Sequence, residues 1–219
     1  MQPLLNFLRH MVGLGFRLNT VYDVGACTGN WSREIAKNFR GTELVLFEAN
    51  PAYSKALIET GYKNFNVALS NPGRNKISFY NGTNTGDSYY KETTKFYDAQ
   101  GAIELPCFTL DELISSHSIP IPNFIKLDTQ GSELDILHGF SYLNQVDLVL
   151  IECPIVTYNL GAPGIDQYLD FFKKNRFIPV DILEVHRMEN TLLQVDIIFA
   201  REDVKYQYFG ANTAIRPFL

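Results

Sequence analysis

The chain has 219 residues, 46% of them apolar, and a formal net charge of −5, which fits one α/β domain with a single core. That composition excludes disorder, and the lack of a dense basic run argues against nucleic acid as a main partner, because neutralising phosphates needs clustered Lys and Arg. The three cysteines (Cys27, Cys107, Cys153) are odd in number and form no CxxC pair, so they predict reduced thiols rather than a disulfide framework or a zinc site.

Leu4, Leu5, Leu8, Met11 and Val12 share one helical face, and Gly13 and Gly15 follow as stop signals. Arg9 and His10 interrupt the apolar run and no small-residue cleavage site follows, so residues 1–19 read as a helix and linker, and a cytoplasmic location is expected. No stretch approaches the ~18 apolar residues of a membrane helix, so no membrane insertion is expected. An apolar strand over 21–24 then runs into Gly25-Ala26-Cys27-Thr28-Gly29 and a helix over 31–39. Glycines at 25 and 29 permit positive φ and close ligand approach, and the first N–H groups of the helix point at whatever sits over the loop. A dinucleotide fingerprint needs glycine at its first, third and sixth positions. Counting from Gly25, Cys27 and Asn30 occupy two of these, which weakens an oxidoreductase reading. Asp23 sets a carboxylate at the loop mouth with no adjacent base, which suits a positively charged ligand without phosphates, such as S-adenosylmethionine.

A second strand over 43–47 ends in Glu48, placed where an open α/β sheet positions the acid that accepts from ribose hydroxyls. Asn50 is the expected cap of a helix over 51–60 that opens on Pro51. A third strand is expected over 65–69, a strand over 76–80 with a turn at Asn81-Gly82, and a return strand over 103–107. Residues 71–107 are the least regular region; Thr85, Asp87, Ser88, Tyr89 and Tyr90 offer hydroxyls and rings to a polar substrate, and a solvated hairpin is the equal alternative. Thr109 and Glu112 form a capping box for a helix to about 117. A strand over 124–128, a helix over 132–138 and a strand over 146–152, broken by Pro154, come next. A helix over 166–174 precedes strands over 177–183 and 192–200, joined by so short a turn at Glu189-Asn190 that they must be antiparallel. Residues 201–219 are left as a tail.

Asp23-Val24-Gly25-Ala26-Cys27-Thr28-Gly29, Phe47-Glu48-Ala49-Asn50-Pro51, Asn66-Val67-Ala68-Leu69-Ser70 and Ile125-Lys126-Leu127-Asp128-Thr129-Gln130-Gly131-Ser132-Glu133 together resemble the FkbM family of S-adenosylmethionine-dependent methyltransferases. The resemblance covers roughly residues 15 to 200. It implies a class I methyltransferase sheet, Rossmann-like, mostly parallel with a C-terminal antiparallel hairpin and helices on both faces. It also implies methyl transfer to a hydroxyl of a sugar, glycan or other small metabolite, with Ala68 and Leu69 beside the adenine. The expected cofactor set is Asp23, Gly25, Ala26, Gly29, Trp31, Glu48, Ala49, Asn50, Ala68, Leu69 and Asp128. Gln130 departs from the acidic residue usual in that family, which keeps open a binding module that retains the fold without transfer.

Polar residues at the carboxyl ends of the strands are the candidates for chemistry. Asp128 is expected to clamp the cofactor or accept the proton, or else to cap the helix near Ser132. His186, after the sixth strand, is the histidine placed to titrate near neutral pH. Lys126, inside an apolar strand, is expected to pair with Asp128, Glu152 or Glu48. Glu133 either matches the family's acid or stabilises a helix start. No metal is expected; Asp128 and Glu152 are the pair that would hold magnesium if one were present.

Overall fold

The computed structural model describes residues 1–82, 86–94 and 99–209. Helix α1 (Gln2–Gly13) carries Pro3 in its first turn, where a missing N–H leaves no bond unmade. It buries Leu4, Leu5, Phe7, Leu8 and Met11; Val12, expected on that face, is 43% exposed, and Phe7 packs inward instead.

In chain order the elements that follow are β1 (Thr20–Val24), α2 (Asn30–Asn38), β2 (Glu43–Phe47), a 3-10 turn with α3 (Ser54–Ile58), β3 (Lys63–Phe65), β4 (Ala68–Leu69), β5 (Lys76–Gly82) and β6 (Ala99–Phe108). Then come α4 (Leu110–His117), β7 (Phe124–Leu127), α5 (Glu133–His138), β8 (Leu148–Pro154), α6 (Ile165–Lys174), β9 (Phe177–Met188), β10 (Thr191–Arg201) and α7 (Glu202–Phe209). The main sheet among the described residues runs β3-β2-β1-β7-β8-β10-β9, and β4-β6-β5 form a small second sheet. Pairings are parallel from β3 to β8; β10 is antiparallel to both β8 and β9. This is the class I methyltransferase sheet with its terminal hairpin.

Alternating side chains along β1, β2, β7 and β8 feed two cores on opposite faces. Tyr22, Val24, Val45, Phe47, Ile125, Leu127, Val149 and Ile151 meet apolar residues of α4, α5 and α6. Val21, Leu44, Leu46, Phe124, Leu148 and Leu150 meet α1 and Ile35 of α2. Burying the central strands on both faces explains why they read as continuous apolar runs. Phe172 stacks on Phe199 at 4.1 Å, clamping α6 to β10, and each such buried ring contributes about 1.5–3 kcal/mol through removal from water.

The expected strand over 65–69 is split. Asn66 turns its amide onto the carbonyls of Glu48 (2.8 Å) and Asn50 (3.1 Å), which takes the chain out of the main sheet after Phe65, and Ala68-Leu69 pair instead with Cys107-Phe108. Asn81-Gly82, expected as a turn, continue β5, with Gly82 opposite Ala99. Pro154 ends β8 from inside the strand, opposite Gln194. The capping box forms: Thr109 Oγ1 accepts from Glu112 N at 3.1 Å and Glu112 Oε2 accepts from Thr109 N at 2.7 Å. Among the described residues no helix is long and apolar enough to cross a membrane.

Candidate active site

A cleft of about 470 Å³ opens at the carboxyl ends of β1, β2, β7 and β8, a size suited to a small ligand. The loop after β1 forms its floor. Gly25 has φ +79°, and a Cβ there would stand 1.9 Å from the carbonyl oxygen of Asp128, so glycine is what lets the loops after β1 and β7 touch. The loop amides are spent on β2 rather than left for a ligand: Gly25 and Ala26 donate to Phe47 O at 2.9 and 3.0 Å, and Cys27 donates to Glu48.

Glu48 is held from two sides. Its Oε2 accepts from Cys27 N and its Oε1 from Asn50 N, both at 2.7 Å. Burial pushes its pKa up to about 7, and the two backbone N–H groups pull the other way. A carboxylate with one lone pair of each oxygen fixed by backbone retains others for hydroxyl donors. Around it the cleft wall is apolar, with Ala49, Tyr53, Val67, Ala68, Leu69 and Phe79.

The second charged group is Lys126, on β7. Its ammonium lies 3.2 Å from Asp23 Oδ1 and 3.3 Å from Asp128 Oδ2, donates to Gly25 O at 3.3 Å, and sits 5.7 Å from the centre of the Trp31 ring. Burial opposes its charge, but Asp23 and then Asp128 outweigh that and keep it protonated. Of the three partners expected for Lys126, Asp128 is realised. Asp23 takes the other place because β1 and β7 pair in register, with Asp23 beside Lys126. Asp23 is fully buried and also accepts from Ser32 Oγ at 2.7 Å, so it anchors Lys126 from behind the wall and does not line the cleft.

Asp128 does not cap the following helix. The residue before α5, Ser132, makes no side-chain cap bond either, and Glu133 instead ties down the loop before the helix: its buried carboxylate accepts from Thr129 N (2.8 Å), Gly131 N (3.0 Å) and the Tyr168 hydroxyl (2.6 Å). Asp128 is left with its side chain 41% exposed, lining the cleft.

The far wall comes from the β8-β10-β9 arm. Asp196 of β10 lies directly opposite Glu152 on β8 and Glu184 on β9, and Gln194 lies opposite His186, so these side chains share one face. His186 Nε2 stands 3.2 Å from Asp196 Oδ1. Gln130 donates to Asp128 Oδ1 (3.1 Å) and to Glu152 Oε1 (2.9 Å), linking two walls through a neutral amide, and Gln194 donates to Glu152 Oε2. The Tyr158 hydroxyl donates to Gln194. Burial, with Asp128, Glu133 and Asp196 nearby, pushes Glu152 well above the usual carboxylate range.

Above the cleft, Asp87 accepts from Asn50 Nδ2 (2.6 Å) and Gly82 N (2.9 Å), and Ser88 donates to Gln130 O at 2.8 Å. Tyr89 and Tyr90 donate to Asp135 at 2.8 and 2.9 Å. Thus Asp87, Ser88 and Tyr89 line the cleft, Tyr90 turns to Asp135, and Thr85 lies outside the described residues.

Of the expected site residues, Gly25, Ala26, Trp31, Glu48, Ala49, Ala68, Leu69, Lys126, Asp128, Glu152 and His186 meet around this space. Asp23, Gly29 and Asn50 do not reach it. Gly29 has φ +75°, and a Cβ there would press on Thr60 at 2.7 Å, so it serves packing between α2 and the residues after α3. Asn50 caps the 3-10 turn by accepting from Ala52 N at 2.9 Å. Sequence reasoning missed Asp196, although its signal was the one that picked out Lys126: a lone charge inside an apolar strand.

Comparison with known proteins follows the same lines. The fold is shared with magnesium protoporphyrin IX methyltransferase of Synechocystis PCC 6803 with bound S-adenosylmethionine (TM-score 0.52, 8% identity, 90% of this chain and 76% of that one). It is also shared with TrmK of M. capricolum in complex with S-adenosylhomocysteine (TM-score 0.50, 7% identity, 88% and 67%). A stretch of 54 residues is 35% identical to the hexuronic acid methyltransferase AglP of Haloferax volcanii; it spans 24% of this chain and 23% of that relative's length. The family profile of the methyltransferase FkbM domain matches residues 23–179, well over half of the chain. The chain belongs to the FkbM methyltransferase family, whose methyl donor is S-adenosylmethionine.

Proposed function

We propose that the protein transfers a methyl group from S-adenosylmethionine to a hydroxyl of a neutral, sugar-like small molecule. The observation that carries this reading is the division of the cleft. One end is apolar around a backbone-held Glu48, and the other is a wall of Asp128, Glu152, His186 and Asp196.

The donor set fits the cofactor. Ala68 and Leu69 offer apolar surface to an adenine, Glu48 offers lone pairs to ribose hydroxyls, and Asp128 offers negative charge to the ammonium and sulfonium region. S-adenosylmethionine supplies an electrophilic methyl on a positively charged sulfur. An alcohol attacks poorly until its proton leaves, so a positioned acceptor is needed. Asp128 is that acceptor in this reading. Lys126 fixes its Oδ2 and Gln130 its Oδ1, which holds the carboxylate aimed into the cleft rather than at the α5 turn. In the transfer the O–CH₃ bond forms as the S–CH₃ bond breaks, its electron pair stays on sulfur, and the hydroxyl proton passes to Asp128. The rest of the chain's contribution is orientation.

The carboxyl oxygens of Asp128 and Asp196 on this wall are hydrogen-bond acceptors, which suits hydroxyl donors on the methyl acceptor. The short similarity to a hexuronic acid methyltransferase supports a sugar and leaves the charged sugar as the competing acceptor. Incubating the protein with labelled S-adenosylmethionine and matched panels of neutral sugars and uronic acids, read by mass spectrometry for a gain of one CH₂ unit, tests both points. Methylation of neutral sugars with release of S-adenosylhomocysteine is expected. Cofactor binding without product from any hydroxylated acceptor would favour a non-catalytic binding module.

A further inference from the structure

We propose that Glu152, His186 and Asp196 bind a divalent first-row cation at the acceptor end of the cleft. One oxygen or ring nitrogen from each lies within 4.8 Å of the other two, and all three line the cleft. The 3.2 Å between His186 Nε2 and Asp196 Oδ1 suits neighbouring ligands on one ion, since metal–ligand bonds of about 2.1 Å at right angles leave their atoms about 3 Å apart. The register is what brings them together. Three adjacent strands, β8, β10 and β9, present Glu152, Asp196 and His186 on one face, on a rigid sheet rather than on loops.

The imidazole separates this constellation from an ordinary acidic patch, and a mixed nitrogen and oxygen set suits manganese, iron or zinc more than calcium. Supporting contacts are already made. Both oxygens of Glu152 accept amide bonds, from Gln130 and Gln194, and Tyr158 holds Gln194 in turn, which fixes the carboxylate while leaving each oxygen a free lone pair. The Met1 ammonium, which also lines the cleft, pairs with Glu184 and not with the trio. Lys126 is the one Lys or Arg among the described residues lining the cleft, and its ammonium is committed to Asp23 and Asp128. The trio differs from the Asp128 and Glu152 pair considered from sequence, because the Gln130 amide already bridges those two. A cation here would give an acceptor hydroxyl a fixed position facing Asp128. That last point rests on the methyltransferase reading; binding of the ion does not.

Manganese provides the test, with electron paramagnetic resonance on the full chain after treatment with EDTA. One bound Mn²⁺ per chain is expected, with nitrogen modulation in the spin echo from one imidazole. His186→Gln should remove that modulation. His186→Gln and Asp196→Asn should each weaken binding at least about tenfold, with circular dichroism and S-adenosylhomocysteine affinity unchanged. Asp128→Asn should leave manganese affinity as it is. No bound manganese in the wild type, or binding that both His186→Gln and Asp196→Asn retain, overturns the proposal. Because S-adenosylhomocysteine affinity is measured on the same samples, failure of the cation site is distinguished from failure of the cofactor reading.

Discussion

The two ends of the cleft are built by different means. At the β1-β2 end the ligand-facing atoms are placed by backbone: Gly25, Ala26 and Cys27 donate to Phe47 and Glu48, and Glu48 is locked by N–H groups of its own neighbourhood. At the β8-β10-β9 end they are placed by side chains on three different strands, and Gln130, Gln194 and Tyr158 tie them together. A backbone-built site admits few substitutions, because it depends on φ values and on the absence of Cβ atoms. A side-chain-built site can change its chemistry by single substitutions while the sheet persists. In the proposed function the first end holds the cofactor and the second the acceptor.

The largest effect should come from adding one carbon at the backbone-built end. Gly25→Ala places a Cβ 1.9 Å from the Asp128 carbonyl at φ +79°, and neither backbone can yield without parting β1 from β7. A loss of about 3 kcal/mol, the upper end for ordinary single substitutions, is expected in denaturant unfolding, together with loss of S-adenosylhomocysteine binding. Wild-type stability and affinity in Gly25→Ala would remove the contrast between the two ends.

Next in size is Asp128→Asn, at the junction. Lys126 keeps Asp23, so the fold should survive, while turnover falls roughly a hundredfold, as for loss of a positioned proton acceptor. Cofactor affinity should fall much less, since an interaction made mainly in the transition state appears in turnover. Equal losses in both quantities would make Asp128 a clamp for the cofactor and leave proton transfer to the far wall.

The same division governs what the sequence made legible. The Gly25 loop, the Glu48 strand end and the Thr109 capping box are local patterns whose physics lies within a few residues, and the structure forms each of them. The terminal hairpin was readable for the same reason, from one short turn. The pairing of Asp196 with Glu152 and His186 was not, because it depends on the register of three strands, and a shift of one residue would turn every side chain to the other face. Asp23 shows the reverse case: a loop-mouth acid is visible in the sequence, but only the β1-β7 register reveals that it faces Lys126 and does not line the cleft. The break after Phe65 was hidden too, since it follows from the Asn66 amide reaching carbonyls 16 and 18 residues earlier.

Glu48→Ala probes the backbone-built end without touching its glycines. Loss of a charged hydrogen-bond acceptor should weaken S-adenosylhomocysteine binding by ~1.5–3 kcal/mol in calorimetry. Since Cys27 N and Asn50 N lose their acceptor as well, Glu48→Gln is the companion variant: it keeps a carbonyl oxygen for one of them. Unchanged affinity in both, with the fold intact, would take Glu48 out of the cofactor site.

The smallest effect is a pH dependence, and its sign distinguishes a working carboxylate from a buried structural acid. Burial raises the Glu48 pKa from its ordinary value of 4.5 to about 7 in the folded chain. Ribose hydroxyls donate best to the ionised form, so affinity for S-adenosylhomocysteine should rise with pH and level off above 7. Between pH 7 and pH 6 the ionised fraction falls from about a half to about a tenth, so affinity should drop roughly fivefold. Stability of the ligand-free chain runs the opposite way. A carboxyl whose pKa is raised by folding binds more protons in the folded state, so its contribution is fully present below pH 4.5 and is lost as pH climbs towards 7. Glu48→Gln removes this titration, and the difference between wild type and variant isolates it from other groups. In that difference, wild-type affinity should gain and wild-type stability should fall over the same pH interval. If the affinity difference is flat from pH 6 to pH 8 while the stability difference moves, Glu48 titrates but does not meet the ligand, and the backbone-built end holds the cofactor by shape alone.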